Sequence, residues 1–579
     1  MKNRDRILAL LVVGVMTVGC TGKDIVPPER AQSSETVTMT TTITLGGGMG
    51  TKALDDAGHK TFAEGDQIAI VYKNTGGETV KAVSNALEDT DIHDEGKTAT
   101  ITVTLTNPEA GGAVRFIYPA KMAKASIATD ATMDDAHTIN YDALATQDGK
   151  LTTLASNLDL AVYDGALTEA AALPANASLK NPLTIVEFTI KNADGSSDLT
   201  STLTGLWVSD GTNSYAVSRK AAEGPIYVVM RPVAATATIT FAAQTASAYY
   251  ERVVTGKTLA AGTMYPVGVR MTQTHTVKLA RLCNKYEAQN GETLTGKLAL
   301  CKQISIAAGA TVTLNNVDIN GDNNFDGAFP GITCNGDATL TLEGMNTVRG
   351  CKKSGYPGIF PKREKTLTIN GTGKLYAYGN GKGAAGIGGG YNYRSCGNIV
   401  IESGEITAIA TSDHGAGIGS SGILGEDNGC GNITITGGKV TATGGNYAAG
   451  IGTGQASGNY ALKNIQCGDI TISGGTVTAT GGYSAAGIGL GYTGQGYSYT
   501  ATINNKCGAI TITNGVTSVT AIRGKKIISN STPYCIGKGA YQNLTYSTLT
   551  CGDITIGGAN KGTDGVNPDP DGDTYVYQP

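Results

Sequence analysis

Along much of the first half of the chain, apolar and polar residues alternate one for one. Val37, Met39, Thr41, Ile43 and Leu45 share one face of a single stretch, and threonines fill the other. A period of two belongs to a strand with one buried and one wetted face. The same pattern returns in DQIAIVY (66–72), TATITVTL (98–105), AVRFIY (113–118), LTIVEFTI (183–190) and TATITF (236–241). No long stretch carries the 3.6-residue period of an amphipathic helix. Short strands with turn residues between them predict sandwich-like β-domains here.

The second half alternates too, but as a repeated sentence. Cys-Gly-x-Ile-x-Ile begins at Cys396, Cys430, Cys467, Cys507 and Cys551, in steps of 34, 37, 40 and 44 residues. Looser versions precede it at 338–350 and 365–379. A period of this size marks stacked supersecondary units. Within a repeat, Ile-x-Ile reads as one strand, Gly-Gly as a corner, Val-Thr-Ala-Thr as a second strand and Ala-Ala-Gly-Ile-Gly as a third side. Alternation turns Ile470, Ile472, Val477, Ala479 and Ile488 inward and the threonine hydroxyls outward. The prediction is a right-handed parallel β-helix; propeller blades lack the Gly-Ile-Gly side. About eight coils at ~4.8 Å would give a rod of roughly 40 Å.

Stacking in register lines up Cys396, Cys430, Cys467, Cys507 and Cys551 as an internal ladder. Cysteine is small, apolar and often buried, which suits such a column. Parallel side-chain vectors fit disulfide torsion poorly, so thiols are expected, while Cys283–Cys301 and Cys334–Cys351 stay open to bridging. The repeats vary most after Gly-Ile-Gly, at 391–395, 420–429, 453–466 and 490–506. In a solenoid these insertions leave by one corner. They are rich in Tyr, Gly, Ser, Asn and Gln, as adaptable binding loops are. Tyr391, Tyr393, Tyr460, Tyr492, Tyr497 and Tyr499 are the candidate contacts for glycan or protein ligands, each offering a flat apolar ring with a polar tip.

Composition narrows the classes. The 579 residues exceed one ordinary domain. Gly is 81 of them without a three-residue period, which excludes collagen. Charged residues are only 16% with a net charge of −4, and no basic tract could serve as a phosphate footprint, so nucleic acid is not an expected partner. Catalysis needs converging acids or bases; Asp413, Glu426 and Asp427 lack repeated partners, and His59, His93, His137, His275 and His414 show no ligand spacing. Asp322-x-Asn324-x-Asp326-Gly327 and Asn567-x-Asp569-x-Asp571-Gly572 begin like calcium loops, but Thr333 and Gln578 stand where the twelfth-position Glu belongs. Neither an enzyme nor a metal or cofactor is expected.

The start of the chain carries an address. Lys2, Arg4 and Arg6 precede an apolar run from Ile7 to Val18, too short for a comfortable permanent span. With Cys20 after Gly19 it resembles a bacterial lipoprotein signal, though Thr17 departs from the usual Leu. That resemblance implies cleavage before Cys20 and membrane attachment by lipid on its sulfur. Residues 21–35 read as a tether, and Lys23-Asp24 resembles a surface-export signal of Bacteroidetes lipoproteins.

The order Thr51-Lys52-Ala53, Phe62 to Tyr72, Phe116 to Ala120 and Lys257 to Val267 resembles the fimbrillin (Mfa-like) family of Bacteroidetes lipoproteins, over roughly residues 36–272. The resemblance implies two β-sandwich domains, placed at 36–150 and 151–272; the repeats place the β-helix at 273–570, followed by a tail at 571–579. It also implies that a trypsin-like protease removes the first strand, with Lys52 at the matching position, and that a strand of another fimbrial subunit fills the groove. Fimbrillins polymerise through a C-terminal donor strand. Here the β-helix holds that end, although DTYVYQP (573–579) is a possible strand. The expectation is a surface-anchored adhesin, a tip or minor subunit with a β-helix head; the alternatives are a polymerising pilin or a β-helix polysaccharide lyase or hydrolase.

Overall fold

A computed structural model describes residues 35–46, 61–298, 302–320, 328–351, 355–390, 395–422, 428–458, 463–495, 503–527, 531–542, 547–567 and 572–579. Cys20 and Lys52 lie outside them. The threonine-faced strand Thr36–Leu45 runs antiparallel to Thr98–Thr106 along its length and parallel to Ala177–Leu179, so it is interior to its sheet. Met39 and Ile43 enter a core with Ile70, Ile101, Leu105 and Phe116. On the wet face the Thr38 and Thr104 hydroxyls meet at 2.9 Å, a cross-strand pair of the kind that fixes register. The facing sheet runs 79–83, 69–73, 113–118, 161–166.

That last strand moves the domain boundary. Residues 161–166 and 177–179 complete the first sandwich, beyond the division drawn at 150. Conversely Met122, Leu144 and Leu154 leave it and pack into the second core beside Val186, Phe188 and Phe241. The two domains exchange segments, and no turn or linker signal marks such an exchange. The second sandwich is an eight-stranded sheet in the order 226–230, 184–192, 263–273, 249–255, 238–244, 205–209, 214–218, 146–147.

From Thr276 the chain coils into a parallel β-helix. Each full coil gives two strands to one long sheet and a short strand to a second, where nine parallel strands run from Tyr286–Ala288 to Ile536–Gly537. Register is carried by apolar columns: Ile399, Ile433, Ile470, Ile510 and Ile554 stand directly above one another, and so do Ile387, Ile418, Ile451, Ile488 and Ile536. All of them are fully buried in one continuous core. Burying each contributes about 2 kcal/mol, and a one-residue slip would turn a whole strand inside out.

The Ile-Gly side needs glycine for a second reason. Gly452 has φ +133°, and a Cβ there would lie 1.9 Å from the Gly489 carbonyl oxygen of the next coil. Gly419 meets Gly452 in the same way. Only a residue without Cβ allows coils to approach so closely.

Both rod ends are covered. At the start, Ala242 and Tyr249 of the second sandwich share a core with Val277, Leu279 and Leu282. Glu251 accepts from Lys278 at 3.0 Å and Arg281 at 2.6 Å, and the Arg281 guanidinium stands 5.1 Å from the centre of the Trp207 ring. At the far end the chain reverses. Thr574–Tyr577 runs antiparallel to Ser518–Ile522, and Tyr575 and Tyr577 pack on the last coil. The tail is thus a strand, and it caps the rod, as solenoids require. Among the described residues no helix is long and apolar enough to cross a membrane.

Candidate binding surfaces of the rod

The variable segments after the Ile-Gly strand do share an edge. Ala456–Gly458 and Thr493–Gln495, from successive insertions, pair in parallel with Ala456 over Thr493. Tyr391, Tyr393, Tyr460, Tyr497 and Tyr499 lie outside the described residues. Tyr492 does not point outward as expected of a contact residue. It is 3% exposed, its hydroxyl donates to Gln542 Oε1 at 3.3 Å, and its ring lies 5.5 Å from Tyr447. Burial pushes its phenol up to about 12. The reason is local: separated from the Ile488–Gly489 strand by Leu490 and Gly491 alone, Tyr492 is still within the stack, where a ring is packed rather than displayed.

The insertions also end in structure that reads as loop in the sequence. Asn428–Cys430, Lys463–Cys467, Ile503–Cys507 and Ser547–Cys551 form a fourth parallel sheet. Ile465 and Ile503 turn inward with Ala456 to form a small satellite core. The cysteines that close these strands stand in register, Cys430 over Cys467 over Cys507 over Cys551, with Cys396 one coil earlier. All five are buried free thiols, as are Cys283 and Cys334. The stacked neighbouring thiol, and then burial, holds Cys430, Cys467 and Cys507 well above the ordinary thiol range.

Two outward rows result. The first runs Asn464, Asn504, Thr548: Asn504 Nδ2 donates to Asn464 Oδ1 at 2.8 Å, and the Thr548 hydroxyl donates to Asn504 Oδ1 at 2.7 Å. The second runs Ser395, Gly429, Gln466, Lys506, Thr550. Together they line a groove of about 770 Å³ along the rod, in which Glu364 is the one acidic side chain. Beside it, on the surface, runs a third ladder of side chain to backbone bonds. Asn398 Oδ1 accepts from Asn432 N, Asn432 Oδ1 from Asp469 N and Asp469 Oδ1 from Ala509 N, all at 2.8–2.9 Å. These side chains hold the turn of each coil to the next.

At another corner lies an aromatic row that the count of loop tyrosines misses. His414, Tyr447 and Ser484 occupy the same place in successive coils, each with positive φ (82°, 66° and 58°). The His414 and Tyr447 rings stack at 6.4 Å, and Tyr447 lies 6.1 Å from Tyr483, which is 41% exposed. Burial lowers His414 to about 4, and its Nδ1 faces Gln455 Oε1. The signal was present in sequence as DHGAGIG, NYAAGIG and YSAAGIG. Among the described residues no group of three or more His, Cys, Asp or Glu is placed to hold a metal ion. Of the two calcium-like loops, residues 321–327 and 568–571 lie outside the described residues, and Asn567 Oδ1 accepts from Arg523 at 3.3 Å.

A fold of stacked parallel coils with glycine corners defines a β-helix repeat protein. In keeping with this, the model of a β-helix repeat family matches residues 367–391, 433–455 and 470–492. No curated protein matches the chain in sequence. Among solved structures it is similar to a fimbrial assembly protein from Parabacteroides distasonis, at 13% identity over 40% of this chain and 91% of that one, with a TM-score of 0.25. It is also similar to candidate cell adhesion proteins from Bacteroides fragilis (12% identity, 41% and 97% covered, TM-score 0.24) and Bacteroides uniformis (15%, 41% and 97%, 0.23).

Proposed function

We propose that this chain is a fimbrial-type surface adhesin in which two β-sandwiches present a β-helix head. The observation that carries the reading is the shared edge: Ala456–Gly458 and Thr493–Gln495, strands of successive insertions, pair with one another, an arrangement suited to multipoint contact. Glycans or proteins of a host or bacterial surface are the ligands, and the insertion tyrosines 391, 393, 460, 497 and 499 are the contacts. Lipid on Cys20 anchors the chain at the outer membrane. The N-terminal strand Thr36–Leu45, held between two neighbours, is the one exchanged with other fimbrial subunits after cleavage at Lys52. The tail strand is engaged on its own rod, which favours a tip or minor subunit over a shaft pilin. The test is retention of the full chain on epithelial-cell, matrix-protein and bacterial surfaces, against a variant with 459–462 and 496–502 shortened to Gly-Ser links. The reading expects retention by the parent and at least tenfold loss in the variant; no retention of either contradicts it.

A further inference from the structure

Resting on that adhesive reading, we infer that the polar groove over the fourth sheet is a seat for a linear acidic polysaccharide lying along the rod. Its two rows repeat hydrogen-bonding groups once per coil, every ~4.8 Å, a spacing close to the length of a sugar ring. A polymer with regularly repeated hydroxyls meets such rows group for group. Asn504 is already fixed by bonds to Asn464 and Thr548, so less side-chain freedom is lost on binding. In the second row the side chains of Gln466, Lys506 and Thr550 make no hydrogen bond among the described residues, and amide, ammonium and hydroxyl groups together recognise both hydroxyl and carboxylate oxygens.

The shape supports an occupant. The row begins with the short side chain of Ser395 and with Gly429, which has none, so little side-chain bulk lines this end of the groove. A Cβ on Gly429 would stand 3.2 Å from Gln466 Cγ and 3.7 Å from Ser395 Oγ, so a side chain there would crowd the Gln466 and Ser395 side chains of the row. Gly429 is not among the glycines with positive φ, so backbone conformation does not demand it. At about 770 Å³ the groove is of the size of small-ligand sites. Its floor is the face of a sheet whose inner strands Lys463–Cys467 and Ile503–Cys507 are paired on both sides, with Ser547–Cys551 as the edge strand at one end, and its outward rows are polar. Charge selects the class: Arg363 is 3.6 Å from Glu364, leaving Lys506 as the unpaired cation among the described residues that line the groove.

The test uses the full chain against immobilised polygalacturonate and hyaluronate, both linear and acidic, with xylan as a linear neutral control. Lys506→Glu reverses the charge at an exposed site, and Gly429→Gln adds side-chain bulk at that end of the row. The inference expects the parent to hold at least one acidic polymer more tightly than xylan, with binding weakened by salt and at least tenfold by each variant. Tyr483→Ala, off the groove, should leave it unchanged. It is overturned if neither acidic polymer is held, if xylan is held equally well, or if both groove variants bind like the parent. Loss of protein-surface rather than polysaccharide retention in the groove variants also overturns it, in favour of a peptide occupant. A parent that still adheres to cells through its insertions, with a groove blank to polysaccharide, loses this assignment alone; a parent that adheres to nothing loses the adhesive reading too.

Discussion

Replacing Gly452 by alanine probes the stacking most sharply. The substitution adds one methyl at a position of φ +133°, where L side chains rarely go, and places it 1.9 Å from the Gly489 carbonyl oxygen. Backbone strain of this type costs about 1–3 kcal/mol. The clash cannot be relieved by rotating a side chain, because the obstacle is backbone, so the coils must part by roughly an ångström. That loosens the bonds Ile451 N to Gly487 O (3.0 Å) and Thr453 N to Gly489 O (2.9 Å). Each is worth about 1 kcal/mol net. The expected local loss is about 4 kcal/mol. Gly309→Ala is the control, since Gly309 also has positive φ (+75°) but nothing within 4 Å of its would-be Cβ; it should cost only the strain, about 1–2 kcal/mol. Amide hydrogen exchange of residues 418–420 and 451–453 reads the difference directly. If the two substitutions speed exchange of their neighbouring amides alike, close glycine-to-carbonyl stacking is not what holds these coils.

Burial and ion pairing elsewhere in the molecule set three further outcomes. His414 is held to about 4 by burial, below its ordinary 6.5, so the unfolded chain takes up a proton that the folded chain refuses; stability is complete above pH ~6.5 and falls by up to roughly 3 kcal/mol as pH drops towards 4. Exchange at Tyr447 and Gln455 should quicken over that window, and His414→Gln should abolish the pH dependence. The ladder thiols Cys430, Cys467 and Cys507 should resist a thiol reagent at pH 8 in the native chain and titrate fully in guanidinium; native reactivity would contradict the buried ladder. Glu251→Ala strips Lys278 and Arg281 of their shared carboxylate, which should weaken the sandwich–rod joint by about 1–3 kcal/mol and shift the emission of Trp207, the single tryptophan, in urea titrations.

The rod's inner columns were legible in sequence because a repeated Ile-x-Ile leaves few registers, and the first strand was legible because nine residues alternate without a break. The fourth sheet was not. Its strands KNIQC, INNKC and STLTC sit inside segments whose length and tyrosine content read as loop, and only Ile465, Ile503 and the closing cysteine betray the inward positions. The polar groove vanished with it, since outward rows cannot be drawn before the strands are found. Tyr492 shows the reverse error, in which residue type suggested display where distance from the coil decides burial. The exchange of 161–179 and 120–160 between the sandwiches is set by long-range packing of Leu154, Met122 and Leu167, which no local pattern reports.

The stack itself is open to a ruler. Thr347, Tyr376, Thr407, Thr441, Thr478 and Thr520 pair in successive coils on the outer face of the long sheet. Spin labels on cysteines at Thr347 and Thr520, with the native thiols shielded by burial, stand five steps apart, about 24 Å, and labels at Thr347 and Thr478 four steps apart, about 19 Å. Dipolar spectroscopy should give two narrow distributions separated by one coil, a difference in which the label linkers cancel. Broad distributions, or a difference unrelated to ~4.8 Å, would mean that the coils do not lie one on another and that their insertions share no edge.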